Sequence, residues 1–158
     1  MKTFAILIVS IILIGCSAEP EPIRYGQDAC HYCKMKIVDN RYGAELVTQK
    51  GKIYKFDAVE CLIHFYKEEE SIKQQTKYLL ATSFNAPGTL QNIEGMNFLR
   101  TKALPSPMGM FLTAFSNTVT ANEFKDNHGG DVYTWESLME NFHQFSDSLL
   151  SDANSEDR

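Results

Sequence analysis

The chain has 158 residues, 44% of them hydrophobic and 22% charged, with a formal net charge of −5. That composition excludes a disordered tract and suits one globular domain, or two small modules sharing a core. An acidic balance with no basic cluster excludes a nucleic-acid partner and suits traffic in cations.

Lys2 precedes an apolar run from Phe4 to Ile14, broken only by Ser10, which is the pattern of a signal peptide over residues 1–15. Its apolar stretch of about 11 residues falls short of the roughly 20 that a membrane-spanning helix needs. Leu13-Ile14-Gly15-Cys16 resembles the bacterial lipobox, which implies a diacylglycerol on the sulfur of Cys16. Acyl chains contribute about 0.8 kcal/mol per buried methylene, so two or three of them hold a protein firmly to a membrane surface. The rest of the chain then lies outside the cytoplasm. Ser17 to Gln27 contains Glu19-Pro20-Glu21-Pro22. Little apolar surface and much proline make it an extended tether, with the domain starting near Asp28.

Ala44 to Gln49 and Lys52 to Phe56 read as a hairpin about Lys50-Gly51, rich in β-favouring side chains. Asp57 then stands at an N-cap position with Glu60 three residues on, and Val59, Leu62, Ile63 and Tyr66 recur at helical spacing, so a helix is expected to about Glu70. Tyr78 to Phe84 and Asn97 to Lys102 are further strands, with residues 85–96 as the loop between them. Met108 to Ser116 is a strand candidate, and Asn122 to Asn127 a short helix ended by Gly129-Gly130. Asp131 to Trp135 is a last strand, leading into a second amphipathic helix through Leu138, Met139, Phe142 and Phe145. Ser151 to Arg158 is polar and aperiodic and is left as a disordered tail.

Displaced by 79 positions, Gly51, Ile53, Tyr54, Phe56, Asp57, Val59 and His64 fall on Gly130, Val132, Tyr133, Trp135, Glu136, Leu138 and His143. The expected fold is therefore α+β, with two related strand–strand–helix modules, about 28–84 and 97–150. Neither module has enough elements to bury both its faces, so they share one core.

The chemistry is concentrated in Cys30-His31-Tyr32-Cys33-Lys34-Met35. With Cys16 acylated, Cys30, Cys33 and Cys61 are an odd number of thiols in a compartment where thiols pair, so one is left over or a metal holds them. A thioredoxin-type Cys-x-x-Cys opens a helix after a strand, because the helix N-terminus lowers the first thiol's pKa. Here a tether precedes Cys30. A structural disulfide remains possible, whereas a zinc knuckle lacks a second ligand pair at matching spacing. Thiolate with thioether is the donor combination that Cu(I) selects. Met35 supplies a thioether beside the pair, and Ser106-Pro107-Met108-Gly109-Met110 is a second soft cluster in irregular backbone. Met110 is assigned to the core and Met108 to the metal. His31 and Met35 are adjustable further ligands. Cys61 is assigned to burial rather than to the loop, Asp57 to capping, and Trp135 to the core.

Taken in order, the lipobox, Cys30 to Ile37 with Asp39, Lys55-Phe56-Asp57-Ala58-Val59-Glu60-Cys61, Pro107-Met108-Gly109 with Ala114-Phe115, and the pair Gly129-Gly130 resemble the NosL-type accessory lipoproteins. Members of that family tend to carry glycine where this chain has Lys34. The resemblance implies a lipid-anchored protein of the cell envelope, facing the periplasm; the outer membrane is the favoured anchor site, and the choice of membrane stays open. It also implies an α+β fold of two related modules, one bound Cu(I) and no catalytic turnover. The carry-over is Cys30 or Cys33 with Met108, then Met35 and His31. The implied partners are copper, the membrane and the maturation machinery of nitrous oxide reductase; a homodimer stays open. The competing class is an envelope thiol-disulfide oxidoreductase working through Cys30 and Cys33, and a third reading is a passive lipoprotein with a structural disulfide.

Overall fold

The structure, a computed structural model, describes residues 18–156. The expected signal peptide and Cys16 lie outside the described residues. β-Favouring side chains at 44–56 build a hairpin: β1 (Ala44–Thr48), buried along its whole length, pairs antiparallel with β2 (Ile53–Phe56), Leu46 facing Tyr54. The chain then forms α1 (Val59–Glu68) and α2 (Glu70–Gln75), and returns as β3 (Thr76–Ser83) and β4 (Ala86–Asn92) to give a sheet ordered β2-β1-β3-β4. A second antiparallel sheet has β5 (Asn97–Arg100) at its centre, between β6 (Leu112–Phe115) and β7 (Asp131–Thr134). Helix α3 (Thr118–His128) connects β6 to β7, and α4 (Trp135–Glu156) follows β7.

The α+β architecture is as expected, and the two strand-then-helix units, β2 with α1 and β7 with α4, occupy the two sheets. The sheets meet where the Phe84 N–H donates to the Ala114 carbonyl at 2.8 Å and the Ser116 N–H to Ser83 Oγ at 2.9 Å. One core joins Phe56, Leu62 and Ile63 of the first half to Phe98, Leu112 and Leu138 of the second, all fully buried. Burial of each such side chain contributes about 1.5–3 kcal/mol. Met110 and Trp135 belong to this core, the indole lying 6.1 Å from the Phe98 ring. No helix among the described residues is long and apolar enough to cross a membrane.

Several boundaries differ from the sequence expectation. Residues 85–96 form β4 and a single 3-10 turn (Ile93–Gly95) instead of a loop. Pro87 and Gly88 are tolerated because β4 is an edge strand, where a missing ladder donor costs little. The expected helix to Glu70 is divided at Glu69, which leaves helical geometry at φ −105° and ψ 82°. The expected strand from Met108 begins only at Leu112, because Gly109 (φ +72°) and Phe111 (φ +64°) keep the preceding segment irregular. Helix α3 starts four residues early, since the Asn117 side chain accepts the Thr120 N–H at 2.9 Å and caps it. With neither Gly nor Pro after Trp135, α4 runs on to Glu156, through most of the segment assigned to a disordered tail.

The expected tether is also corrected. From Ala18 on it is extended but packed against the first sheet. Ala18 and Ile23 are buried, the Glu21 N–H donates to Glu45 Oε1 at 3.1 Å, Lys55 Nζ to the Pro22 carbonyl at 3.0 Å, and Lys77 Nζ to the Ala18 carbonyl at 2.9 Å. Gly43 leaves room for this strap: a Cβ there would lie 2.6 Å from Tyr25 Oη and 2.8 Å from Ile23 Cδ1.

Candidate metal centre

The Cys30–Met35 loop is closed at its base by a bridge between Ala29 and Lys36. Inside it the Cys30 N–H donates to the Met35 carbonyl at 2.7 Å, and the Lys34 N–H to the Cys30 carbonyl at 3.1 Å. The reversal requires a left-handed residue, and Lys34 supplies it at φ +66°. That is the position where glycine would fit without strain. The His31 N–H donates to the Lys55 carbonyl at 2.7 Å, which sets the loop against the end of β2. Tyr32 pins its other side to α1: the ring stacks on His64 with centroids 5.2 Å apart, and the hydroxyl donates to Glu68 at 2.7 Å.

Docked there, the loop faces the junction of β2 and α1. Ligand atoms of Cys30, Cys33, Asp57 and Cys61 all lie within 4.8 Å of one another. Cys30, Asp57 and Cys61 are buried and Cys33 is partly exposed, so the group opens to solvent past Cys33. All three cysteines are free thiols. Cys33 Sγ donates to Asp57 Oδ1 at 3.6 Å.

The electrostatics divide the thiols. The Cys61 S–H, the largest influence, donates to Cys30, and the backbone N–H groups of Asp57, Cys33 and Tyr32 add to it. Together they outweigh burial and bring the Cys30 thiol down to about 6. Cys61 is pushed up, chiefly because its proton is held on Cys30 and then by burial. Burial likewise raises Cys33. The group thus holds one thiolate at neutral pH, stabilised before any metal arrives.

Cys30 and Cys33 are brought together as the sequence indicated. Two assignments are corrected. Cys61 is buried, yet its thiol points back to the loop and completes the group. Asp57 does not cap α1: Ala58 takes the N-cap position with no side-chain cap, and the Asp57 carboxylate turns to the thiols instead. The available signal was the Asp57-to-Cys61 spacing, one helical turn, together with the odd thiol count. His31 stands outside the group, its ring edge-on to Tyr54 at 4.7 Å and Phe65 at 5.0 Å. The Met35 side chain is exposed, while its carbonyl and N–H serve the loop and the Cys33 sulfur. Met108 is partly buried against the core cluster that contains Cys30 and Cys61, in a loop tied to the first turn of α1 by the Leu112 N–H, which donates to Glu60 Oε1 at 3.4 Å. Three sulfurs and a carboxylate can hold a soft or borderline cation; the sulfurs favour Cu(I), and the full set of four would suit Zn(II).

The family model for NosL matches residues 24–142. Among solved structures, the crystal structure of the copper chaperone NosL from Shewanella denitrificans matches with a TM-score of 0.64 at 21% identity, over 76% of this chain and 95% of that one. At that identity the likeness carries the fold. No curated protein matches.

Proposed function

The chain belongs to the NosL family, and from that premise we propose that it carries Cu(I) in the thiol group and hands it on for the assembly of nitrous oxide reductase. The carrier works from a lipid anchor at Cys16 on the periplasm-facing side of the envelope. The observation that carries the reading is the convergence of Cys30, Cys33 and Cys61. Soft sulfur donors select Cu(I) over harder competitors, and Cys30 has already released its proton to solvent at neutral pH, so copper need not displace one from it. Cys30 and Cys61 form the buried floor. Cys33 is the outer ligand through which copper arrives and leaves, and Met108 adds a thioether from the loop between β5 and β6. Transfer is ligand exchange: a donor of the acceptor protein binds on the open side before the buried sulfurs let go. No electron moves and no bond of the chain breaks.

Competition with a Cu(I) chelator under reducing conditions tests this. The chain is expected to take one equivalent, with Cys30→Ser and Cys61→Ser each weakening it strongly. Unchanged affinity in both removes the site. The same titration with Zn(II) addresses the competitor that the Asp57 carboxylate suits: tighter retention of Zn(II) than of Cu(I) against matched chelators makes this a zinc site. The low Cys30 value also fits a thiol-disulfide oxidoreductase. However, Cys30 is 1% exposed and opens no helix, so its sulfur is poorly placed for attack on a substrate disulfide. Turnover in an insulin-reduction assay would reverse that ranking.

A further inference from the structure

The loop between β5 and β6 is irregular, and its hydrogen bonds converge on one side chain. Ser106 Oγ donates to Glu60 Oε1, and the Leu112 N–H reaches the same oxygen at 3.4 Å. The Phe111 N–H donates to Ser106 Oγ at 2.9 Å, and the Gly109 N–H to the Ser106 carbonyl at 2.9 Å. Both ends of the 106–112 segment, which contains Met108, therefore rest on Glu60. The Glu60 side chain is fully buried, and Oε2 has no hydrogen-bond partner among the described residues.

A buried carboxyl with one oxygen unmatched is costly, and a well-packed apolar residue in its place is often more stabilising. What it provides is register. Glu60 precedes Cys61 in the first turn of α1, so the acceptor for the loop and a thiol of the metal group ride on one rigid turn. The segment it holds is itself strained, with Phe111 at φ +64°, and it would relax if released.

We infer that Glu60 is a positioning residue that fixes the 106–112 loop on α1 so that the Met108 thioether is presented to the copper held by the cysteines. This deepens the copper-carrier reading and rests on it. Glu60 touches no metal; it acts through Met108. A residue that orients a ligand in this way typically contributes 10–100-fold in metal affinity.

The test is a double-mutant cycle read by Cu(I) chelator competition on the reduced chain. Met108→Ala and Glu60→Ala are each expected to weaken Cu(I) binding by about tenfold or more. The double variant is expected to be no weaker than either single one, because the thioether can be lost only once. Glu60→Gln keeps an oxygen acceptor for Ser106 and is expected to restore affinity to within about twofold of the parent, on the same scale. Ser106→Ala removes the loop's half of the contact and gives the same cycle should Glu60→Ala not fold. Additive losses, or full affinity in both Glu60→Ala and Ser106→Ala, overturn the inference. Full affinity in Met108→Ala also overturns it, while the carrier reading then stands or falls separately on Cys30→Ser.

Discussion

Replacing Cys61 by alanine removes the strongest single influence on the Cys30 thiol. Cys30 falls from the ordinary 9.0 to about 6. At about 1.4 kcal/mol per pKa unit, this is a preference for the thiolate on the order of 4 kcal/mol. The Cys61 S–H is the largest contributor, ahead of three backbone N–H groups that the substitution leaves in place. Its loss is therefore expected to raise Cys30 by about one unit or more, which cuts the thiolate fraction at about pH 6 roughly fivefold. Thiolate absorbance near 240 nm, followed against pH on the metal-free reduced chain, reads this directly. The parent is expected to show one step near pH 6 and the remaining thiols well above it. The step should move upward in Cys61→Ala and stay near 6 in Cys33→Ser. Because the folded value lies below the unfolded one, the thiolate stabilises the fold fully above about pH 9. That contribution is lost as pH falls through 6, so metal-free stability should decline across this window, and less so in Cys61→Ala. A step that stays at pH 6 without Cys61 would refute the reasoning.

Lys34→Gly should stabilise the fold by about 0.5–1 kcal/mol in urea denaturation, since relief of a left-handed side chain, about 1–2 kcal/mol, exceeds glycine's extra unfolded-state entropy. Gly130→Ala should do the opposite by several kcal/mol. Gly130 is at φ +99°, and a Cβ would stand 2.2 Å from the Arg100 carbonyl oxygen, a backbone atom of the central strand that cannot yield; a fall in melting temperature of many degrees is expected. Glu45 is buried under the N-terminal strap, and burial raises its carboxyl to about 7. Its folded value is above the ordinary 4.5, so the neutral carboxyl's contribution is complete below that pH and is lost as pH rises through 7. Glu45→Gln should flatten the decline in stability between about pH 5 and 7 that the parent shows in denaturant titrations.

The hairpin at 44–56 and helix α1 were legible because β-favouring side chains about Lys50-Gly51, followed by apolar residues at 3.6-residue spacing, leave few alternatives. The capping box was misleading for a physical reason: Asp57 and Glu60 occupy the right positions, but tertiary partners outbid the helix end. Asp57 turns to the thiols and Glu60 to Ser106. Neither partner is within forty residues of its acceptor on the loop side for Glu60, nor within twenty for Asp57 and Cys33, as the sequence separations of 46 and 24 show. Local pattern has no access to such contacts. Pro87 and Gly88 concealed β4 because an edge strand tolerates what a central one rejects. The strap at 18–25 was hidden because two apolar residues, Ile23 and Tyr25, suffice where a sheet already offers Glu45 and Lys55 as partners. The Cys30–Cys33 pair was evident from spacing alone, whereas Cys61 as its third sulfur required knowing that the loop folds onto α1.

X-ray absorption at the copper K edge, on the reduced chain loaded with one equivalent of copper, probes the central proposal most directly. The account predicts a Cu(I) edge and a first shell of sulfur alone, with fewer sulfurs in Cys61→Ser. A shell made of nitrogen or oxygen, or a sulfur shell that Cys61→Ser leaves intact, would contradict it.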